Sequence, residues 1–191
     1  GSAKQCVIQD ACAVWGAMPR HFVPGHPLAG AEKSGVEASF ATLFYARRVI
    51  LTPLPHTDPT CLQQVQEMWR LSGARVEQMT PAHHDEILAA TSHLPHVLAY
   101  VLVETLRRMD ESEAIFRYTA GGFRDFTRIA ASQPEMWRDI CLANRGAILS
   151  MLEHYMTHLS DLRATLIAGD GSALHTLFEH AKTTRERLDI S

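Results

Sequence analysis

The sequence predicts a mainly α protein, with an incomplete α/β unit over residues 1–80 and an all-α unit over residues 81–191. Three observations carry this. Before residue 80, helical stripes alternate with short β-branched runs, as βα units do. After Thr80-Pro81 every apolar pattern has helical spacing and the strand signal is gone. The first part supplies about three strands, too few for a twisted parallel sheet to stand alone. The N-terminal half of its α/β domain is therefore expected to lie outside this chain.

The elements follow in order. Val7, Ile8, Ala11, Val14 and Trp15 share one face of a first helix. His21-Phe22-Val23 is expected as a short strand ending at Pro24-Gly25, and Arg48–Thr52 (RVILT) has the β-branched character of a buried parallel strand. Asp58-Pro59 starts a helix with Pro59 at its first position. Its stripe is Leu62, Val65, Met68 and Trp69, and Gly73 ends it. Arg75–Met79 is the next strand. Thr80-Pro81 then caps a helix running to Met109, followed by a short one over Glu111–Arg117. Gly121-Gly122 breaks the chain before a helix through Ile129. Ser132-Gln133-Pro134-Glu135 reads as a capping box. It opens one long helix with the stripe Trp137, Ile140, Cys141, Ile148, Leu152, Tyr155, Leu159 and Leu162. Gly169-Asp170-Gly171 turns into a last helix carrying Leu174, Leu177, Phe178 and Ala181.

Composition narrows the function classes. The 46% apolar content supports a real core. The net charge of −3 comes from interspersed acids and bases, so no basic face points to nucleic acid or an anionic membrane. Cys6, Cys12, Cys61 and Cys141 show no CxxC pairing and read as reduced thiols of a cytoplasmic protein. The most apolar run, Ile87–Leu106, is interrupted by His93, Pro95 and His96 and makes a poor membrane span. No signal peptide is visible.

Two glycine-rich stretches invite a phosphate-loop reading and fail it. GHPLAGAEKS (Gly25–Ser34) has the GxxxxG spacing, but Ala31-Glu32 stands where Lys-Ser/Thr is needed. GDGSAL lies between two helices, the wrong context for a dinucleotide fingerprint. Both read as turns. Eleven histidines include the pairs His83-His84, His93/His96 and His154/His158. A metal site needs three or four ligands, and no Glu-x-x-His is present for a di-iron bundle. No metal is expected, and His154 and His158 read as surface residues.

The helix after Thr80 is unusual. Ile87, Leu94, Leu98, Leu102 and Leu106 form a core stripe, while His93, His96, Tyr100, Val103 and Arg107 form a second. Pro95 between the imidazoles is expected to bend the helix there, since proline inside a helix costs ~3 kcal/mol. Satisfied core histidines account for this pattern, and so does the wall of a pocket. Thr119–Ile140 favours the pocket. It gathers two glycines, three arginines, two aspartates and a tryptophan around two helix starts. Arg128, among Phe126, Ile129 and Ala130, is placed to pair with a carboxylate, internal or from a ligand. His26 falls just past the carboxyl end of an expected strand, the edge where open α/β sheets bind ligands.

The stretches GHPLAGAEKSGVE, RVILTPL, HHDEILAATSHLPHVLA and AGGFRDFTRIAASQPEMWRDI together resemble the prephenate/arogenate (cyclohexadienyl) dehydrogenase family of tyrosine biosynthesis. The likeness is dense from Phe22 to Ile140. It implies the C-terminal half of a Rossmann-like nucleotide-binding domain over 1–80 and a helical dimerisation and substrate domain over 81–191. It implies an NAD- or NADP-dependent oxidoreductase, a homodimer, that oxidatively decarboxylates prephenate or arogenate. By motif, His26 matches the catalytic histidine. His96 matches a substrate-pocket histidine, Arg128 the carboxylate-binding arginine, and Glu32 the acid that pairs with that arginine. Ser2 in GSAK matches an active-site serine, and Gly121, Asp125 and Trp137 match positions that shape the pocket. His93 is a candidate cofactor contact. Ala31 departs from the threonine of many relatives and so removes a possible substrate hydrogen bond. A second reading makes the chain a helical dimerisation module without activity of its own, compatible with the first if the chain is part of a longer enzyme.

Overall fold

A computed structural model describes residues 2–30, 35–36 and 39–188 of the chain. Glu32 and Ala31 lie outside the described residues. The chain divides into two compact units, residues 1–148 and 149–191.

The first unit opens with helix α1 (Gln5–Trp15), which Gly16 ends in a left-handed conformation. Three strands follow: β1 (Gly25–Pro27), β2 (Arg48–Leu51) and β3 (Arg75–Gln78), in the spatial order β1-β2-β3. The β2 and β3 pairing is parallel, as expected, with Val49 opposite Val76. The first strand differs from expectation. Residues 21–23 form no strand; the strand begins at Gly25, contains His26, and runs antiparallel to β2. Pairing rather than local propensity fixes it there. A Cβ on Gly25 would sit 2.9 Å from the Leu51 side chain, so a glycine lets the two backbones close up.

Helix α2 (Pro59–Leu71) starts as the sequence indicates. The Asp58 carboxylate accepts from the Thr60 and Cys61 N–H groups, and Pro59 takes the position where no N–H is needed. Leu62, Val65 and Trp69 from this helix pack on Val49, Leu51 and Ala74. Full burial of Val49 and of Leu51 stabilises the fold by about 1.5–3 kcal/mol each. Because side chains alternate along a strand, Val49 and Leu51 face α2 while Ile50 faces the other way. His26 pairs with Ile50 and shares that opposite face.

Thr80 caps helix α3 (Pro81–Leu88), and α4 (Leu94–Arg107) continues its path. Between them Ala89–His93 forms a π turn, in which the Leu94 N–H reaches back to the Ala89 carbonyl. The irregularity therefore precedes Pro95 and is not a proline kink within a continuous helix. The proline occupies the first turn of α4, where its missing N–H costs least. The expected second stripe grows more exposed along α4. His93 is fully buried, His96 is partly buried, and Arg107 is exposed and paired with Glu104.

Short helices α5 (Ser112–Arg117) and α6 (Gly121–Thr127) come next, then a 3-10 turn over Arg128–Ala131. Gly121 and Gly122 lie inside α6 rather than ahead of it. The capping box does not form: Gln133 is the N-cap of α7 (Pro134–Ala143), without a side-chain cap. The single long helix expected from Pro134 is two, α7 and α8 (Arg145–Ala168), broken at Asn144.

The second unit holds most of α8 and all of α9 (Gly171–Arg187). The Asp170 carboxylate caps α9 by accepting from the Ala173 N–H. Its large apolar side chains Leu149, Met156, Leu159, Leu166, Ile167, Leu177 and Phe178 are exposed.

Candidate active site

The break at Asn144, the π turn and the strand carrying His26 converge on one polar network inside the first unit. Its centre is Asp85, in the middle of α3 and fully buried. The backbone N–H groups of Lys4 and Gln5, at the start of α1, donate to its two carboxylate oxygens at 2.7 and 2.9 Å. These are donors that a helix start leaves unpaired. Lys4 caps α1 with no side chain of its own, and a carboxylate 81 residues away does so instead. The His84 Nδ1–H donates to the same Asp85 oxygen as Lys4, at 2.8 Å. Burial alone would push the Asp85 carboxyl up. The hydrogen bonds from His84, Gln5 and Lys4 outweigh burial and hold it below the usual range.

On its far side His84 reaches His26, with His26 Nδ1 lying 2.8 Å from His84 Nε2. Burial, reinforced by His84 and the nearby Lys4 ammonium, pushes the His26 imidazole down to about 3. The Lys4 side chain is itself buried, and burial lowers its amine.

Asn144 carries the network the other way. Its amide donates to the Asp85 backbone carbonyl at 2.7 Å and to His93 Nδ1 at 3.1 Å. This sets the His93 tautomer, because a ring nitrogen that accepts at Nδ1 holds its proton at Nε2. That Nε2 is buried and has no hydrogen-bond partner among the described residues, and the same holds for Trp137 Nε1. Two buried N–H groups thus await an acceptor. The His93 ring meets Trp137 edge-on, with centroids 6.2 Å apart, while His96 stacks flat on the same indole at 3.6 Å. His96 Nδ1–H donates to the Ser92 carbonyl at 2.9 Å, leaving Nε2 as its remaining polar atom. Burial lowers the His96 imidazole first, with the positive charge of Arg128 acting the same way.

The structure thereby joins four of the residues singled out from sequence, His26, His93, His96 and Trp137, in one contact chain. Arg128 lies within electrostatic reach of it. Arg128 is exposed, not enclosed by its apolar neighbours. Gly121 and Asp125 are exposed on α6, which packs against α4. Ser2 is half-buried beside the buried Ala3 and Lys4.

Sequence reasoning missed Lys4, His84, Asp85 and Asn144 as members of the site. For three of them a signal existed. His84, Asp85 and Leu88 fall on one helical face, with His83 off it, exposed and beside Glu86. Asn144 occupies the stripe position between Cys141 and Ile148, a polar residue where the spacing calls for an apolar one. Lys4 stands in the GSAK stretch, but its part in the network depends on Asp85, 81 residues away.

The chain is similar to proteins of one family. The family profile described as the nucleotide-binding domain of prephenate dehydrogenase matches residues 1–78, and that described as its dimerization domain matches residues 80–180. The chain is 42% identical to the cyclohexadienyl dehydrogenase of Zymomonas mobilis over 98% of its own length and 64% of that protein's. It is 37% identical to the prephenate dehydrogenase of Bacillus subtilis, covering 51% of that protein. The chain thus spans between half and two thirds of these curated relatives. Among solved structures, the prephenate dehydrogenase of Aquifex aeolicus in complex with hydroxyphenyl propionate and NAD+ superposes with a TM-score of 0.91 at 40% identity. That match covers 99% of this chain and 65% of the other. The Synechocystis arogenate dehydrogenase gives a TM-score of 0.86 at 27% identity, covering 98% and 67%.

Proposed function

The chain belongs to the prephenate dehydrogenase family, and from that premise we propose that it forms part of an enzyme that oxidatively decarboxylates prephenate or arogenate. Residues 1–80 would complete a nucleotide-binding domain, and 81–191 would supply the substrate pocket and a homodimer interface, in a cytoplasmic protein. The observation that carries this reading is the continuous chain of contacts from His26, at the sheet, to His96 stacked on Trp137.

Bound NAD or NADP supplies the hydride acceptor. His93 would suit its nicotinamide end: its buried Nε2–H, without a partner among the described residues, would be a donor for a carboxamide or substrate oxygen. His26 takes the proton of the ring hydroxyl as the carbinol carbon gives up its hydride. Burial holds the ring neutral, so it carries a free lone pair at physiological pH. The ring carboxylate then leaves as carbon dioxide and the ring becomes aromatic. Arg128 suits the carboxylate of the substrate through its planar fork, and Glu32 is the acid assigned to pair with it. His96, held flat by Trp137, offers Nε2 to the substrate, while Ser2, Gly121 and Asp125 shape the pocket around it.

The test is His26→Asn in the complete enzyme. Asparagine keeps a hydrogen bond but accepts no proton, so kcat should fall by ~10²–10⁴-fold with KM little changed. A kcat within a few-fold of wild type would reduce His26 to a structural strand residue.

A further inference from the structure

We infer that His84 and Asp85 form a positioning pair that fixes the tautomer of His26 and receives its Nδ1 proton during turnover. The inference rests on the assignment of His26 as the base, and the geometry supplies the rest. A carboxylate only accepts, so the His84 proton facing Asp85 sits on Nδ1, at 2.8 Å. The neutral ring then carries its lone pair at Nε2. That lone pair lies 2.8 Å from His26 Nδ1, so His26 is the donor of this bond and its own proton is on Nδ1. Its Nε2 is left with the lone pair that a base needs.

The order of the three residues also gives the proton a path. The substrate O–H bond breaks as His26 Nε2–H forms. His26 Nδ1–H then breaks as His84 Nε2–H forms, and His84 becomes an imidazolium against the Asp85 carboxylate. The hydride pair would leave separately, to NAD or NADP when bound. The relay moves positive charge away from Lys4, whose buried ammonium disfavours a charged His26. It places that charge beside a buried anion already fixed by the Lys4 and Gln5 N–H groups. His84 and Asp85 are themselves fully buried, so no bulk water competes for these bonds.

The experiment uses the complete enzyme with its dinucleotide. Ring ¹⁵N NMR of wild type at neutral pH should show His26 protonated at Nδ1, and a proton at Nε2 would overturn the assignment whatever reaction the enzyme runs. His84→Leu removes the acceptor, and loss of the correct tautomer should lower kcat by up to ~10⁴-fold. His84→Gln can still accept from His26 Nδ1–H through its amide oxygen but cannot be protonated. It should keep the wild-type His26 tautomer and KM while kcat falls ~10–100-fold, with a proton inventory reduced from two transferred protons to one. Wild-type kcat in His84→Gln would refute the proton transfer. Failure of wild type to oxidise either prephenate or arogenate would refute the proposed function instead, and the NMR result would still decide the tautomer.

Discussion

Asp85→Asn isolates what one buried carboxylate contributes to the fold. Wild-type Asp85 accepts three hydrogen bonds: Lys4 N–H and His84 Nδ1–H on one oxygen, Gln5 N–H on the other. Asparagine has the same shape but only one acceptor. Its best orientation keeps the first two bonds and turns its NH2 toward the Gln5 N–H, donor against donor. A buried donor left unsatisfied costs about 1–3 kcal/mol. Each surviving bond loses its charge assistance, about 1 kcal/mol more apiece. The total is about 3–5 kcal/mol at pH 7, large against typical domain stability. Urea unfolding of the complete enzyme, followed by tryptophan fluorescence, should show the unfolding free energy falling by that amount, seen as a lower midpoint at unchanged slope. The pH dependence follows from sign. The carboxyl is held below its ordinary range in the folded state, so its contribution is whole above the unfolded value near 3.9 and is lost as pH falls through the folded one. The gap between wild type and variant should persist at pH 5. A gap below about 1 kcal/mol at pH 7 would show that the three N–H groups find other partners, and the reasoning would fail.

In the complete enzyme Arg128→Ala should raise KM, because losing a charge-assisted partner of a bound carboxylate costs about 2–5 kcal/mol in ground and transition states alike; an unchanged KM for both substrates removes Arg128 from the site. His26 and His93 are pushed down to about 3 and about 4, chiefly by burial. The unfolded chain binds their protons first, so stability is whole above about pH 6.5 and falls by about 1.4 kcal/mol per histidine per pH unit below it. Equal urea midpoints at pH 7 and pH 5 would contradict this. The exposed apolar side chains of α8 and α9 predict a homodimer through the helical half, and light scattering from a clean monomer at micromolar concentration would count against it.

The elements legible in the sequence are those with local causes. Asp58-Pro59 and Thr80-Pro81 announce α2 and α3 because the cap and its N–H partners lie within three residues. β2 is legible from the β-branched pair Val49-Ile50, and β3 from its place between the Gly73 that ends α2 and the Thr80 cap of α3. The failures have distant causes. β1 is placed by its register on β2, more than twenty residues away, and not by the propensity of His21–Val23. Asn144 ends α7 with its amide committed to partners 59 and 51 residues back, which no window of sequence contains.

The supports show the same limit: His84 and Asp85 stand in HHDEILAATSHLPHVLA and Lys4 in GSAK, but what each of them holds is set by partners distant in sequence. Asp85 illustrates this. Its helix position reads as an ordinary acidic residue near the start of α3, yet it caps α1, orients His84 and, through its carbonyl, anchors Asn144. One residue on the first helical turns after β3 thus ties the beginning of the chain to the start of α8. Such ties favour the placement of an active site at a junction between two differently patterned segments. The contact of α3 with α1 both buries these groups and supplies their hydrogen bonds; without the bonds each would cost about 1–3 kcal/mol. A π turn, buried imidazoles and a buried lysine fall within this junction, where His84 and His93 meet partners distant in sequence.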